Sequence, residues 1–136
     1  MSALAEIISS FEELEPTERL EWLIEFGNSL PALPEAYHAE RNAGKHIVHE
    51  CQAPVFFKVE LLDNQIAIQA DVPREAPVAR GFVSLLKQGF DGMTLVEKEA
   101  APVDMLDALH LKGLLGMQRT RGLSAIYNTL KTSLTS

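Results

Sequence analysis

The period of the hydrophobic pattern changes twice along this chain, and that alternation limits its fold more than any other feature. Leu4, Ile7, Ile8, Phe11 and Leu14 fall on one stripe at 3.6-residue spacing, the pattern of an amphipathic helix. Pro16 suits the first turn of a second helix. There Leu20, Leu23, Ile24 and Leu30 repeat the stripe, with Glu18, Glu21 and Glu25 facing outward. Pro31 and Pro34 stop it, and Leu30 to Gly44 reads as a long surface connection. From His46 the period becomes two. Val55, Phe57, Val59 and Leu61 alternate with Phe56, Lys58, Glu60 and Leu62; Asp63-Asn64 fits a two-residue hairpin turn, and Ile66, Ile68 and Ala70 continue beyond it. Helical spacing then returns with Val78, Phe82, Leu85 and Leu86, ending near Gly89. Thr94 and Glu97 predict a capping box for a short helix, and Pro102 is expected to open another through Leu109. Leu123, Ile126, Tyr127, Leu130 and Leu134 predict an amphipathic helix running to the C-terminus. Helices at both ends and strands in the middle imply an α+β fold in a single domain, 1–136. A small antiparallel sheet of about three strands, residues ~46–72, should pack against the N- and C-terminal helices.

A chain of 136 residues, 46% hydrophobic and 23% charged, buries enough surface for a core without disulfide or metal support. No apolar run approaches the ~20 residues of a membrane span. The first residues lack the basic and apolar regions of a secretory signal. With a single cysteine, these features lead us to expect a cytoplasmic protein. The net charge of −7 is unevenly placed: residues 1–40 hold nine acidic side chains and one basic, Arg19, while the remainder is nearly balanced. An acidic helical face of this kind is ordinarily a solvated face, and otherwise a docking surface for a basic partner. Nucleic acid is excluded as a ligand, because phosphate binding needs clustered Lys and Arg.

Cys51 lies in the segment His46-Ile47-Val48-His49-Glu50-Cys51-Gln52-Ala53-Pro54-Val55-Phe56-Phe57. One thiol rules out an intramolecular disulfide and any all-cysteine metal site. A lone cysteine is by default a small buried hydrophobe. Here a β-like stretch runs into it and Gln52-Ala53-Pro54 turns the chain immediately afterwards, so the thiol can project from a turn. Strand alternation would put Ile47, His49 and Cys51 on one face and turn Glu50 away, sparing the thiolate a repulsive carboxylate. The same alternation separates His46 from His49, so His46, His49 and Cys51 do not make a metal site, which needs converging ligands. His38, His49 and His110 are available as bases for a Cys-His pair, but no nucleophile elbow or Gly-rich oxyanion segment accompanies them. Gly113-Leu114-Leu115-Gly116 is apolar and lacks the lysine of a phosphate loop. Arg119 and Arg121 form the only close basic pair, ahead of Gly122 and the expected last helix. The helix dipole disfavours cations there, which suggests an anion or partner contact.

Four segments carry a likeness to a known family. They are Leu30-Pro31-Ala32-Leu33-Pro34, His49-Glu50-Cys51-Gln52-Ala53-Pro54-Val55-Phe56, Ala76-Pro77-Val78-Ala79-Arg80-Gly81-Phe82 and Arg119-Thr120-Arg121-Gly122-Leu123. In this order and spacing the chain resembles the SufE-type sulfur acceptors, the cysteine desulfuration proteins that include the CsdE branch. It departs from their usual pattern at Glu50, Ala53, Val55-Phe56 and Leu115 to Arg119. The resemblance implies a compact α+β fold shared with IscU-like scaffolds. It implies that Cys51 accepts persulfide sulfur from a cysteine desulfurase (SufS/CsdA type) that uses pyridoxal phosphate. The carrier would stimulate that enzyme and pass sulfur to an iron–sulfur scaffold or another acceptor. Arg119 matches the family's late arginine and is expected to position the thiol loop or contact the partner, with His49 and Gln52 flanking the thiol. The thiol is expected to be partly shielded among Val55, Phe57 and neighbouring helices. A monomeric carrier is expected, with no cofactor, no metal and no stand-alone activity. The rival readings are an iron–sulfur scaffold or metal-binding protein of related fold, and a non-catalytic adaptor docking a partner through its acidic helices.

Overall fold

The computed structural model describes residues 2–134. Helix α1 (Ala3–Glu12) is capped by Ser2, whose side chain accepts the Ala5 N–H, and α2 (Pro16–Phe26) starts with a capping box between Glu15 and Glu18. Pro16 occupies the first turn of α2, as its missing N–H allows. The expected stripe on α2 is narrower than its spacing suggests: Leu23 is buried, Ile24 is exposed, and Leu30 is buried only after the helix has ended.

Three strands, β1 (Ile47–Val48), β2 (Val55–Leu62) and β3 (Gln65–Asp71), form an antiparallel sheet in the order β1-β2-β3. Leu62 pairs with Gln65 across Asp63 and Asn64, which both take positive φ (52° and 64°). That is the geometry of the primed two-residue turn, whose twist matches the flanking strands. The register places Phe57 opposite Ala70 and Val59 opposite Ile68, so one sheet face is continuously apolar. That face meets the helices.

Helix α4 (Pro77–Phe90) is the spine, packing against α1, α2, β3 and α7 (Met117–Thr132). Phe82, Val83, Leu85, Leu86 and Phe90 along it are all fully buried. Arg80 ties its first turn to the α2 end of the molecule: Nε donates to the Gly27 carbonyl (3.1 Å) and Nη1 to the Val72 carbonyl (2.7 Å). The Arg-Gly pair noted in the sequence is therefore a packing device, with Arg80 bridging elements and Gly81 lying against the α2 backbone.

Three expectations need correction. The stretch from Leu30 to Gly44 is not a plain surface connection: a 3₁₀ turn (Glu35–Tyr37) leads into a short helix, α3 (His38–Asn42). Its residues reach the outer sheet face by polar contacts, Tyr37 to Glu60 (2.7 Å), Glu40 to Lys58 (2.8 Å) and Arg41 to Asp71 (2.7 Å). Five residues are too few to show a stripe, and polar contacts leave no hydrophobic period. The helix expected from Pro102 instead starts with Asp104 as cap and runs only over α6 (Met105–Ala108), while Thr94 and Glu97 do cap α5 (Leu95–Ala100). Helix α7 begins six residues before Leu123, after Gly116 at φ 78°, and stops at Thr132, so Leu134 lies beyond it. Of the expected run to the C-terminus, residues 135–136 lie outside the described residues.

Candidate functional site

β1 ends at Val48, and the chain then turns through residues 49–53 before β2 begins at Val55. The Cys51 N–H donates to the Val48 carbonyl (3.4 Å), closing the first part of this turn. Cys51 is therefore not a strand residue, and the parity that set it beside Ile47 and His49 does not apply. The loop rests on α7. Cys51 is half-buried, and its thiol donates to the Gly122 carbonyl across an Sγ···O distance of 3.6 Å. Gly122 makes this seat possible: a Cβ there would stand 3.2 Å from Sγ and 3.6 Å from the Cys51 Cα. Of the expected shield of Val55, Phe57 and neighbouring helices, the contact described at the thiol comes from a helix, α7.

The thiol opens on a cleft of about 390 Å³. Its walls are the Cys51 loop with Gln52 and Ala53, the carboxylate-bearing Glu75 and the start of α4 from Ala76 to Ala79, and the α7 residues Gln118, Arg119, Gly122 and Leu123. Two helix amino ends therefore open on the same space, α4 after its unfilled cap Ala76 and α7 after its unfilled cap Gly116. The first N–H groups of a helix have no partner within it, so both ends present a partial positive charge to the cleft. Arg119 lies in the first turn of α7, exposed, with no hydrogen bond or ion pair among the described residues.

Burial raises the Cys51 thiol above the ordinary cysteine range, and the Glu50 carboxylate raises it further. Strand alternation would remove Glu50 from play; in a turn it does not. Maleimide labelling of Cys51 should therefore follow an alkaline-shifted pH profile and run slower at neutral pH than labelling of free cysteine. Glu50→Gln should move the profile part of the way back and leave the burial component in place. A wild-type profile at or below that of free cysteine would contradict this assignment.

The structure brings Cys51, Gln52 and Arg119 to one cleft and leaves exposed His49 outside its lining. His46 is held elsewhere, its Nε2 3.3 Å from the Glu40 carboxylate and its ring edge-on to Phe56. It sits at φ 58°, so a turn rather than strand parity separates it from His49. Among the described residues no three His, Cys, Asp or Glu side chains converge on a metal position. His38 bonds to the Leu33 carbonyl (2.9 Å), and neither it, His49 nor His110 has a hydrogen bond to the thiol. Reasoning from residue types misses Gly122, Gln118 and the start of α4 as site residues. The signal is present, because two of the four motif segments carry Gly122 and the start of α4.

Among the described residues no helix is long and apolar enough to cross a membrane. The family model described as "SufE: Fe-S metabolism associated domain" matches residues 5–134. An uncharacterized SufE-like protein of Mycobacterium tuberculosis is 39% identical over 132 residues, covering 96% of this chain and 90% of that protein. The chloroplastic quinolinate synthase of Arabidopsis thaliana is 33% identical over 129 residues, covering 93% of this chain and 17% of that much longer protein. In structure, the chain is similar to a hypothetical protein from Thermus thermophilus solved in solution, with a TM-score of 0.76 and 26% identity over 96% of this chain and 93% of that one. With its α+β architecture and its thiol cleft, the chain belongs to the SufE family of domains associated with iron–sulfur metabolism.

Proposed function

We propose that this chain is a cytoplasmic sulfur carrier. It takes the outer sulfur of a cysteine persulfide from a pyridoxal-phosphate cysteine desulfurase onto Cys51, stimulates that enzyme, and passes the sulfur to iron–sulfur cluster assembly. It needs no cofactor of its own. The observation that carries this reading is the seating of the chain's one thiol, half-buried, in a cleft onto which two helix amino ends open. In the transfer the Cys51 thiolate attacks the outer sulfur of the donor persulfide. A new S–S bond forms as the donor's S–S bond breaks, and the donor cysteine leaves as a thiolate that takes up the proton Cys51 gave. Nothing is oxidised overall: one thiol and one persulfide stand on each side. With no second cysteine in the chain, the loaded persulfide has no intrachain thiol to resolve it.

The resting contact with Gly122 bears on control. A thiol donates to that carbonyl, but a thiolate cannot, and it would face the negative end of the dipole. Deprotonation and departure from Gly122 therefore go together, and donor docking supplies both. Arg119 and Gln52, on the cleft, serve loop positioning or partner contact, and His49, outside it, serves partner contact.

Mixed with a cognate desulfurase, pyridoxal phosphate and cysteine, the wild-type protein should gain one sulfur atom in intact mass and accelerate sulfide release. Cys51→Ser should do neither. A wild-type chain with unchanged mass and no effect on the enzyme would leave the adaptor reading, docking through the acidic helices.

A further inference from the structure

A second surface feature lies away from the thiol. Trp22 is 47% exposed although it is the chain's only tryptophan and sits in the middle of α2. It meets Phe26 edge-on (6.4 Å between centroids), and Phe26 in turn meets buried Phe11 (6.2 Å). The ring is thus fixed from below and open above. It lines a groove of about 320 Å³ between α1 and α2 whose other walls include Ile7, Phe26 and Gln88.

The rim of this groove is acidic. Glu6 lines it from α1, and Glu18 and Glu25 flank Trp22 four residues before and three after, on the same side of α2. None of the three makes an ion pair among the described residues. Arg19, three residues before Trp22, gives its Nε to the Phe11 carbonyl (3.0 Å) and is the one cation on this helix and its cap against four carboxylates, Glu15, Glu18, Glu21 and Glu25. Glu18 also accepts the Glu15 N–H in the capping box, but it keeps its charge, so a groove with a fixed aromatic floor and an excess of carboxylates at its rim selects its occupant by charge. A second copy of this chain, with net charge −7, is repelled, as are phosphate and an anionic membrane.

We infer that the α1–α2 groove docks a lysine- or arginine-bearing amphipathic helix of a partner protein, which inserts an apolar side chain against Trp22. The inference does not rest on sulfur transfer. Gln88 lies nine residues along α4 from Ala79 at the thiol cleft, about 13 Å of helix. A partner in the groove therefore leaves the thiol free for another.

Trp22 is its own reporter. Titration of the full chain with a synthetic Lys/Leu amphipathic peptide should give a saturable blue shift of tryptophan emission that weakens with salt, while the matching Glu/Leu peptide gives none. Glu6→Lys with Glu25→Lys, which leaves the Glu15–Glu18 capping box intact, should weaken binding by about tenfold or more. Glu35→Lys with Asp107→Lys, the same charge change on exposed residues elsewhere, should leave it nearly unchanged. Cys51 labelling rates should not respond to the peptide. An unmoved emission, equal losses in the two double variants, or salt-independent binding would overturn the assignment.

Discussion

Gly81→Ala should be the most damaging small substitution in this chain, lowering stability by about 3 kcal/mol, the upper end of the overpacking range. A Cβ at position 81 would stand 2.0 Å from the Leu23 carbonyl oxygen and 2.8 Å from its carbon. Those are backbone atoms of α2, so no rotamer change relieves the clash. Nor can α2 simply withdraw, because Arg80 holds the Gly27 carbonyl just beyond its end. Intrinsic helix propensity pulls the other way, favouring Ala over Gly by about 1 kcal/mol, and is outweighed. Gly89→Ala is the matched comparison on the same helix. Its Cβ would meet the flexible end of Leu4, Cδ1 at 3.0 Å, which can rotate away. Urea denaturation should show a large loss for Gly81→Ala and a small change for Gly89→Ala. Equal effects would mean that the close approach of α2 and α4 does not govern stability. Because α4 begins at the thiol cleft, Gly81→Ala should also disturb the cleft wall from Ala76 to Ala79.

How much of this is legible in the sequence depends on the physics behind each element. The β2–β3 hairpin is legible because two independent signals agree: alternation on both strands, and an Asp63-Asn64 pair able to take positive φ. α4 is legible because Val78, Phe82, Leu85 and Leu86 keep a helical stripe along its buried face, although Ser84 is buried with them. α3 is not, because it is five residues long and held by Glu40 and Arg41 rather than by a hydrophobic stripe. The true start of α7 is hidden because Met117 to Arg121 is exposed, or nearly so, and the stripe begins only at Leu123. A reading from the stripe alone therefore moves Arg119 and Arg121 from helix to loop. At the candidate site, the cysteine and its turn are readable from residue types. The partner of the thiol is not, since Gly122 lies 71 residues away and contributes only a carbonyl and the lack of a Cβ.

Lys98→Met should cost about 3 kcal/mol, although buried charges are often replaceable by apolar residues at little loss. Lys98 is wholly buried, and its ammonium donates to the carbonyls of Leu130 (3.2 Å), Lys131 (2.9 Å) and Ser133 (2.6 Å) at the end of α7. Lys131 answers from α7, donating to the carbonyls of Lys98 (2.9 Å), Glu99 (3.1 Å) and Ala101 (2.9 Å) at the end of α5. Each helix thus caps the other's carboxyl end, where the dipole favours a cation. Exchange of a buried ion pair for apolar side chains removes both partners together. Methionine here removes the donor and leaves behind the backbone acceptors and the exposed Glu99 carboxylate that pairs with it (3.4 Å), and a buried acceptor without a partner costs about 1–3 kcal/mol. Lys131→Met should cost less, about 1 kcal/mol, because that side chain is partly exposed and water can reach the carbonyls it frees. Burial, opposed by Glu99 and aided by the charge of Lys98, already draws the Lys131 ammonium below its ordinary range. A urea double-mutant cycle on the two positions separates the outcomes. A Lys98→Met loss well above that of Lys131→Met identifies the buried lysine as the main clasp between α5 and α7. A loss near zero would mean that desolvation of the ammonium cancels its three bonds. Since α7 also presents Gly122 to the thiol, release of the clasp should quicken Cys51 labelling even where the fold survives.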